Sequence, residues 1–486
     1  MNTLDTRGFG AARARRFGPP MALLALTWLA ASPAEARPSG PALLCETYPS
    51  SPDCLGRLPT CETCHPSTDP PQWNAYGGAL LGALDGADFD TGLADALAAV
   101  EGADADGDGA SNLDEILVGT QPGNAESLWS PVPVDEDSEN PWYRVGDYDV
   151  RLAYRRAMVL YCGSSPTYEA LNQIGELDGE AQRARLHEDL AACLDGAYWR
   201  TTGLRQLADT KVKPIYSVGP ETQVYFDGFR IVLADYNWDY RLWRYLLSDD
   251  RDIRELLTAQ YHVLEDVDGT LSPVEGAIPN TYEDDAVAGG QPLEPEQRAG
   301  MLTTQWFLMS NTMFSALPRT TAAQAYRAYL GMDLSNNEGI VPVAGEPLDV
   351  DDKGVAEPAC AQCHSTLDPL AYAFSYYHGI EFPFDIGLYD ENRPSNWIEH
   401  WDPEAQRSQL LGVPVNSVVE WGQVASQSEY FRAAMTQTLF EHALGRAAIG
   451  PEREVMVSLA ETLPSDGHSA NRLIHRIVDT SLFGEP

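Results

Sequence analysis

Cys61-Glu62-Thr63-Cys64-His65 and Cys360-Ala361-Gln362-Cys363-His364 are two copies of one pentapeptide, Cys-x-x-Cys-His, placed far apart in the chain. This pattern is the attachment signature of c-type haem. On one helical turn the two thiols face the same side, so each can form a thioether to a porphyrin vinyl group, and the adjacent imidazole reaches the iron. A zinc half-site and a redox-active dithiol use the same Cys-x-x-Cys spacing. A zinc ribbon needs a second Cys-x-x-Cys close by, and neither copy has one. The expected cofactors are therefore two covalently bound haem c groups, held by Cys61, Cys64, Cys360 and Cys363, with His65 and His364 as iron ligands.

Covalent haem attachment of this kind takes place outside the cytoplasm, and the N-terminus reads as an export signal. Arg13, Arg15 and Arg16 precede an apolar run from Met21 to Ala31, and Ala34-Glu35-Ala36 gives a small-x-small cleavage pattern. Arg15-Arg16 is a twin-arginine pair in a poorly fitting context, so the general secretory route is preferred. Residues 1–36 are read as a signal peptide, with the mature chain beginning near Arg37. The run is too short to span a bilayer, and no later stretch approaches the ~20 apolar residues a span requires. A periplasmic or extracellular protein is expected.

The full chain of 486 residues carries a formal charge of −40, and the leader's four arginines against Asp5 and Glu35 leave the mature form at −42. Such acidity opposes nucleic acid or an anionic membrane surface as partner and leaves a basic redox protein, cations or neutral substrates. Keeping an exported protein soluble is the simpler account of the same charge. Setting the two motifs aside, Cys45, Cys54, Cys162 and Cys193 remain. An even remainder in an oxidising compartment suggests disulfides, and of the three pairings the expected one is Cys45–Cys54 with Cys162–Cys193.

Soon after the first motif stands Asp104-Ala105-Asp106-Gly107-Asp108-Gly109-Ala110-Ser111-Asn112-Leu113-Asp114-Glu115. Asp104, Asp106 and Asp108 occupy positions one, three and five of a calcium loop, Ala110 offers a carbonyl at seven, and Glu115 can close the site bidentately. The loop resembles those of dockerins and thrombospondin type 3 repeats. With only one such loop, a structural Ca²⁺ fits better than a paired sensor.

These markers predict a mainly α, multidomain chain: two cytochrome c-like helical haem modules flanking a mostly helical middle domain with a short hairpin. The expected divisions are 37–130 for the N-terminal haem module with its calcium loop, 131–143 for an acidic linker, 144–275 for the middle domain, 276–297 for a surface loop, and 298–486 for the C-terminal haem domain. Helices are expected at Leu93–Val100 and from Leu113, and the spacing of Ile253, Leu256, Leu257, Tyr261 and Leu264 predicts another. Thr222–Leu233 alternates like a hairpin turning at Asp227-Gly228. Ser426-x-x-Glu429 reads as a capping box for the helix that follows. The aromatic cluster Tyr236, Trp238, Tyr240, Trp243 and Tyr245 is better explained by core packing than by sugar binding.

From about residue 150 onward the chain resembles the planctomycete-type cytochrome c proteins. The likeness runs through Pro166-Thr167-x-Glu169, Arg298-x-Gly300-x-Leu302-Thr303, Cys360-x-x-Cys363-His364-x-x-Leu367-Asp368-Pro369-Leu370 and Leu444-Gly445-Arg446. Ala371 stands where Gly is usual, and Ser164 where Arg is common. The resemblance implies an exported cytochrome and little about substrate. Asp368 is expected to accept backbone hydrogen bonds in a turn after the haem helix, with Pro369 starting the next element; orienting His364 Nδ1 is its second reading.

A closed six-coordinate iron exchanges electrons, whereas an open one binds peroxide or another small molecule. Between Arg37 and Ala157 there is no methionine and no histidine besides His65, so the first haem has no local sixth ligand. For the second, the candidate distal ligands are Met309 and Met313, then His378. Three functions fit the sequence: a dihaem electron carrier, a peroxidase-like oxidoreductase with an open N-terminal haem, and a surface binding protein with accessory haems. No catalytic acid or base is assigned.

Overall fold

The computed structural model describes residues 39–485 apart from 55, 67–71, 128–147, 216–220, 227–228, 284–285, 337, 382–384 and 450–451. The signal peptide of 1–36 with its cleavage site, the acidic linker around 131–140 and the Asp227-Gly228 turn lie outside the described residues. The architecture is mainly α. Among the described residues no helix is long and apolar enough to cross a membrane.

Two cores organise the chain. The smaller gathers Leu44, Tyr76, Leu80, Leu93, Leu97 and Ile116 from the helices Gly40–Thr47, Ala75–Leu84, Phe89–Val100 and Asn112–Val118. In Phe89–Val100 the buried residues Leu93, Ala96, Leu97 and Val100 recur at helical spacing and define one apolar face. Asp88 starts that helix by accepting from the Thr91 N–H, a cap worth about 1 kcal/mol. Sequence periodicity caught only the second half of the helix, because its first turn is polar.

The larger core runs without interruption from Ala153 to Phe483. It contains Tyr236, Tyr240 and Trp243 of the aromatic cluster, all nearly inaccessible to solvent. Trp238 stands edge-on to His262 and beneath Arg241. Packing thus accounts for Tyr236, Tyr240 and Trp243, while Trp238 and Tyr245 keep partial exposure.

Glu221–Phe226 and Phe229–Asp235 pair antiparallel as the alternation predicts, with Phe226 opposite Phe229 across a two-residue connection. The stretch 276–297 departs from its reading as a surface loop. Within it Thr281–Glu283 and Ala286–Ala288 pair with each other, and the second of these lies parallel to Phe229–Asp235, completing a four-stranded sheet. Gln291 and Leu293 beyond it are buried. Glycines and charges suggested a loop, but pairing to a remote strand overrides local propensity.

Two further expectations shift. The helix expected across Ile253–Leu264 stops at Thr258, because Ala259 turns extended and His262–Glu265 becomes a strand pairing with Leu271–Val274. Ser426 belongs to the helix Val418–Gln427, where its hydroxyl donates to the Gln423 carbonyl; the cap of Glu429–Leu444 is Ser428, which accepts from the Phe431 N–H.

Both expected disulfides are present. Cys45–Cys54 ties the first helix to the segment before the first motif, and Cys162–Cys193 joins two helical stretches. Closing the 31-residue separation of the second is worth about 3–4 kcal/mol by loop-entropy arithmetic.

The small core is fastened to the large one just ahead of the first motif. Asp53 accepts from both Arg57 and Arg453. Gly56 has φ +66°, and a Cβ there would stand 2.5 Å from the Ala433 methyl. Glycine is needed twice, for the left-handed backbone and for the close approach to Glu429–Leu444.

Candidate functional site

The first motif forms a short 3-10 turn at Cys61–Thr63, held by the start of the next helix. Asn74 caps Ala75–Leu84 by accepting from the Gly77 N–H, while its amide nitrogen donates to the Glu62 and Thr63 carbonyls at 3.1 and 3.0 Å. Its backbone N–H donates to the Cys64 carbonyl. A Cβ at Gly77 would lie 2.2 Å from that same carbonyl oxygen, so only glycine lets the helix approach the motif this closely.

A cleft opens beside Cys61, Cys64 and His65, walled by Leu44, Leu80 and Leu97. Among the described residues none that lines it is charged, a methionine or a second histidine. His65 is buried, lies against Trp73 at 4.4 Å between ring centres with the planes tilted by 31°, and places Nδ1 2.6 Å from the Gln72 carbonyl oxygen. A carbonyl only accepts, so Nδ1 carries the proton and Nε2 keeps its lone pair for a metal. Imidazole orientation, paired thiols and an apolar cleft together fit a haem held at one edge by two thioethers.

The second motif lies on the helix Pro358–Phe374, with Cys360, Cys363 and His364 at i, i+3 and i+4 on one face. His364 Nδ1 is 2.9 Å from Asp368 Oδ1. Asp368 is fully buried and receives two bonds from Arg319, each 2.9 Å, and Arg319 also bridges to Asp351 at 2.7 and 2.8 Å. Burial works against the Arg319 charge, but its bonds to Asp368 and Asp351 outweigh it and hold the guanidinium above its ordinary value.

This corrects the turn role expected of Asp368. The helix continues unbroken through Pro369 to Phe374, so Asp368 sits one turn after His364 and serves as its hydrogen-bond partner. Pro369 misleads because mid-helix proline is rare: it removes one backbone bond, and here packing bears that cost.

None of the four motif cysteines takes part in the two disulfides. Burial pushes Cys61 up to about 11, with the neighbouring Cys363 and Glu62 adding to the effect against a backbone hydrogen bond, and it pushes Cys64 up to about 12. Cys363 is raised as well, by burial and by Cys360. Among the described residues the four sulfurs do not gather with other ligands into a metal-holding cluster.

The two motifs are neighbours. Gln362, between the cysteines of the second, lines the cleft of the first, and Cys61 lies within electrostatic reach of Cys363. No sequence signal reveals this adjacency.

Of the candidate distal ligands, Met309 is buried in the large core, and Met313 is half-exposed at the end of the helix Gln305–Thr312. His378 is buried with Nδ1 2.7 Å from Glu381, which is itself held by Arg393. None of the three lines the first cleft.

The loop expected to hold calcium, residues 104–115, is ordered by its own acidic side chains. Asp104 accepts from the backbone N–H groups of Gly107, Asp108 and Gly109, and Asp108 accepts from that of Ala110. Oxygens of Asp104, Asp106 and Asp108 lie within 4.8 Å of one another. Buried Asn112 closes the loop by accepting from the Ala105 N–H and donating to the Val100 carbonyl. Glu115 opens the helix Asn112–Val118 yet is 1% exposed, and its Oε2, like Asp106 Oδ2, has no hydrogen-bond partner. Burial first, then Asp106 and Asp108, push Glu115 up to about 7. Orphaned carboxylate oxygens in a ring of acids are what a missing cation would satisfy.

Residues 412–483 match a family described as a protein of unknown function (DUF1585), a domain found in cytochrome c-like planctomycete proteins. The matched stretch holds neither Cys-x-x-Cys-His copy; it contributes Ala433 and Arg453, on which the segment before the first motif rests. No curated protein and no solved structure matches the chain.

Proposed function

We propose that this is an exported dihaem c-type cytochrome that transfers electrons between redox partners and carries a structural calcium ion. The observation that supports it best is the common preparation of both histidines: each follows a Cys-x-x-Cys pair and commits Nδ1 to an acceptor, which leaves Nε2 for a metal. Haem bound there would supply one-electron redox chemistry. The chain itself supplies attachment through Cys61, Cys64, Cys360 and Cys363, orients His65 and His364, and gives the first cleft an apolar wall. Asp104, Asp106, Asp108, Glu115 and the Ala110 carbonyl would hold the calcium. An acidic surface suits a basic redox partner.

A second reading is favoured by one feature. Among the described residues the first cleft offers His65 and no further imidazole or thioether, which suits a peroxidase-like oxidoreductase open at its N-terminal site. Protein matured in a host competent for cytochrome c biogenesis separates the readings. Intact mass should show two porphyrin adducts, one lost in C61A/C64A and the other in C360A/C363A. Six-coordinate low-spin spectra at both irons without peroxide turnover support the carrier; a high-spin signal lost with the first pair of cysteines, together with peroxide turnover, supports the enzyme. A mass without adducts ends both.

A further inference from the structure

The two proximal histidines donate to different kinds of acceptor. His65 gives its Nδ1 proton to an amide carbonyl, which is neutral. His364 gives its own to Asp368, a carboxylate with no exposure to solvent. Arg319 does not cancel that charge, because the same guanidinium is shared with Asp351. Two carboxylates against one guanidinium leave the cluster one net negative charge.

A histidine whose N–H is held by a carboxylate becomes a stronger donor through its other nitrogen, and a stronger donor favours ferric over ferrous iron. The environment of His65 acts in the opposite sense. The described residues that line its cleft are uncharged and mostly apolar, and a low-dielectric wall disfavours the extra positive charge of the oxidised state.

We infer that the two attachment sites are built unequal, with Asp368 a positioning residue that sets the C-terminal site at a lower reduction potential than the N-terminal one. This rests on the two-haem reading above and adds an order to it: the C-terminal site is the better reductant and the N-terminal site the better acceptor. Because Gln362 of one motif lines the cleft of the other, the inequality lies between adjoining sites.

The test uses the matured, full-length protein, with two adducts first verified by mass. Absence of either adduct overturns the parent reading, and that is seen before any potential is measured. Spectroelectrochemical titration of the wild type should resolve two potentials, assigned with C61A/C64A and C360A/C363A, the C-terminal one being lower. Asp368→Asn keeps the shape and removes the charge; it should raise the C-terminal potential and leave the N-terminal one in place. Asp351→Asn leaves the His364–Asp368 contact intact but frees Arg319 to neutralise Asp368 alone, so it should raise the C-terminal potential in the same direction. Equal potentials, a reversed order, or a C-terminal potential unmoved in Asp368→Asn would overturn the inference. Should Asp368→Asn fail to mature, the order of the two wild-type potentials still decides.

Discussion

Asn74 holds more of the first site than any residue that touches it directly. One side chain caps a helix and pins two carbonyls of the motif turn. Asn74→Ala should cost about 1–3 kcal/mol in chemical unfolding, a lost cap plus unpaired carbonyls, and should lower occupancy at Cys61 and Cys64. Asn74→Asp, which keeps the acceptor and loses the donor, should restore the cap while occupancy stays low; equal behaviour of the two variants would remove the clip from the account. Asp239 supports a pH prediction. It is buried with Oδ2 unpartnered, and burial, against the Thr304 hydrogen bond, pushes it up to about 8. The unfolded chain ionises it near 4, so between pH 4 and 8 folding takes up a proton and wild-type stability falls as pH rises. Asp239→Asn should therefore gain on the wild type across that window, approaching about 1.4 kcal/mol per pH unit. A stability difference that does not change with pH would contradict it. The cysteines, histidines and loop acids were legible because their chemistry fixes residue type and spacing. Gln72 was not, since its part is played by a backbone carbonyl that every residue has. Asp368 was visible at i+4 from His364 but was misread through its neighbour Pro369.

At the scale of elements, the calcium loop and the helix it opens form one unit. The unsatisfied oxygens of Asp106 and Glu115 point to a stability that depends on the ion. Chelation should lower the melting temperature of the N-terminal part. At ten times Kd the ion contributes about 1.4 kcal/mol, and Asp104→Ala should reproduce the loss while becoming insensitive to chelator. No shift with chelator would remove calcium from the protein. Elements with strong local signals, such as the hairpin of 221–235 and the helix ending at Val100, were readable from periodicity. Those decided by distant partners were not: Ala286–Ala288 is a strand because Phe229–Asp235 lies beside it, and His262–Glu265 leaves the helical pattern to pair with Leu271–Val274. Short apolar runs carry both periods at once, and tertiary pairing chooses between them.

For the molecule as a whole, the adjacency of the two motifs changes what a substitution in one does to the other. Gln362→Trp adds bulk to a side chain of the second motif that faces the first cleft. Peptide mass mapping should show haem loading reduced at Cys61 and Cys64 and retained at Cys360 and Cys363. The reverse pattern, or no change, would mean that the sites do not meet as described. Length and composition called for several domains, and the motifs seemed to divide them. A core continuous from Ala153 to Phe483, with a smaller one docked on it, cannot be read from sequence because docking depends on single contacts such as Gly56 against Ala433.

That docking bears on the order of assembly. Asp53 and Gly56 rest on Arg453 and Ala433, and the first of these pairs is 400 residues apart in the chain. A growing chain therefore presents its first Cys-x-x-Cys-His without this wall until that long stretch has followed, leaving an interval in which the thiols are open to modification. Shortening the protein from its far end would consequently be felt first near its beginning.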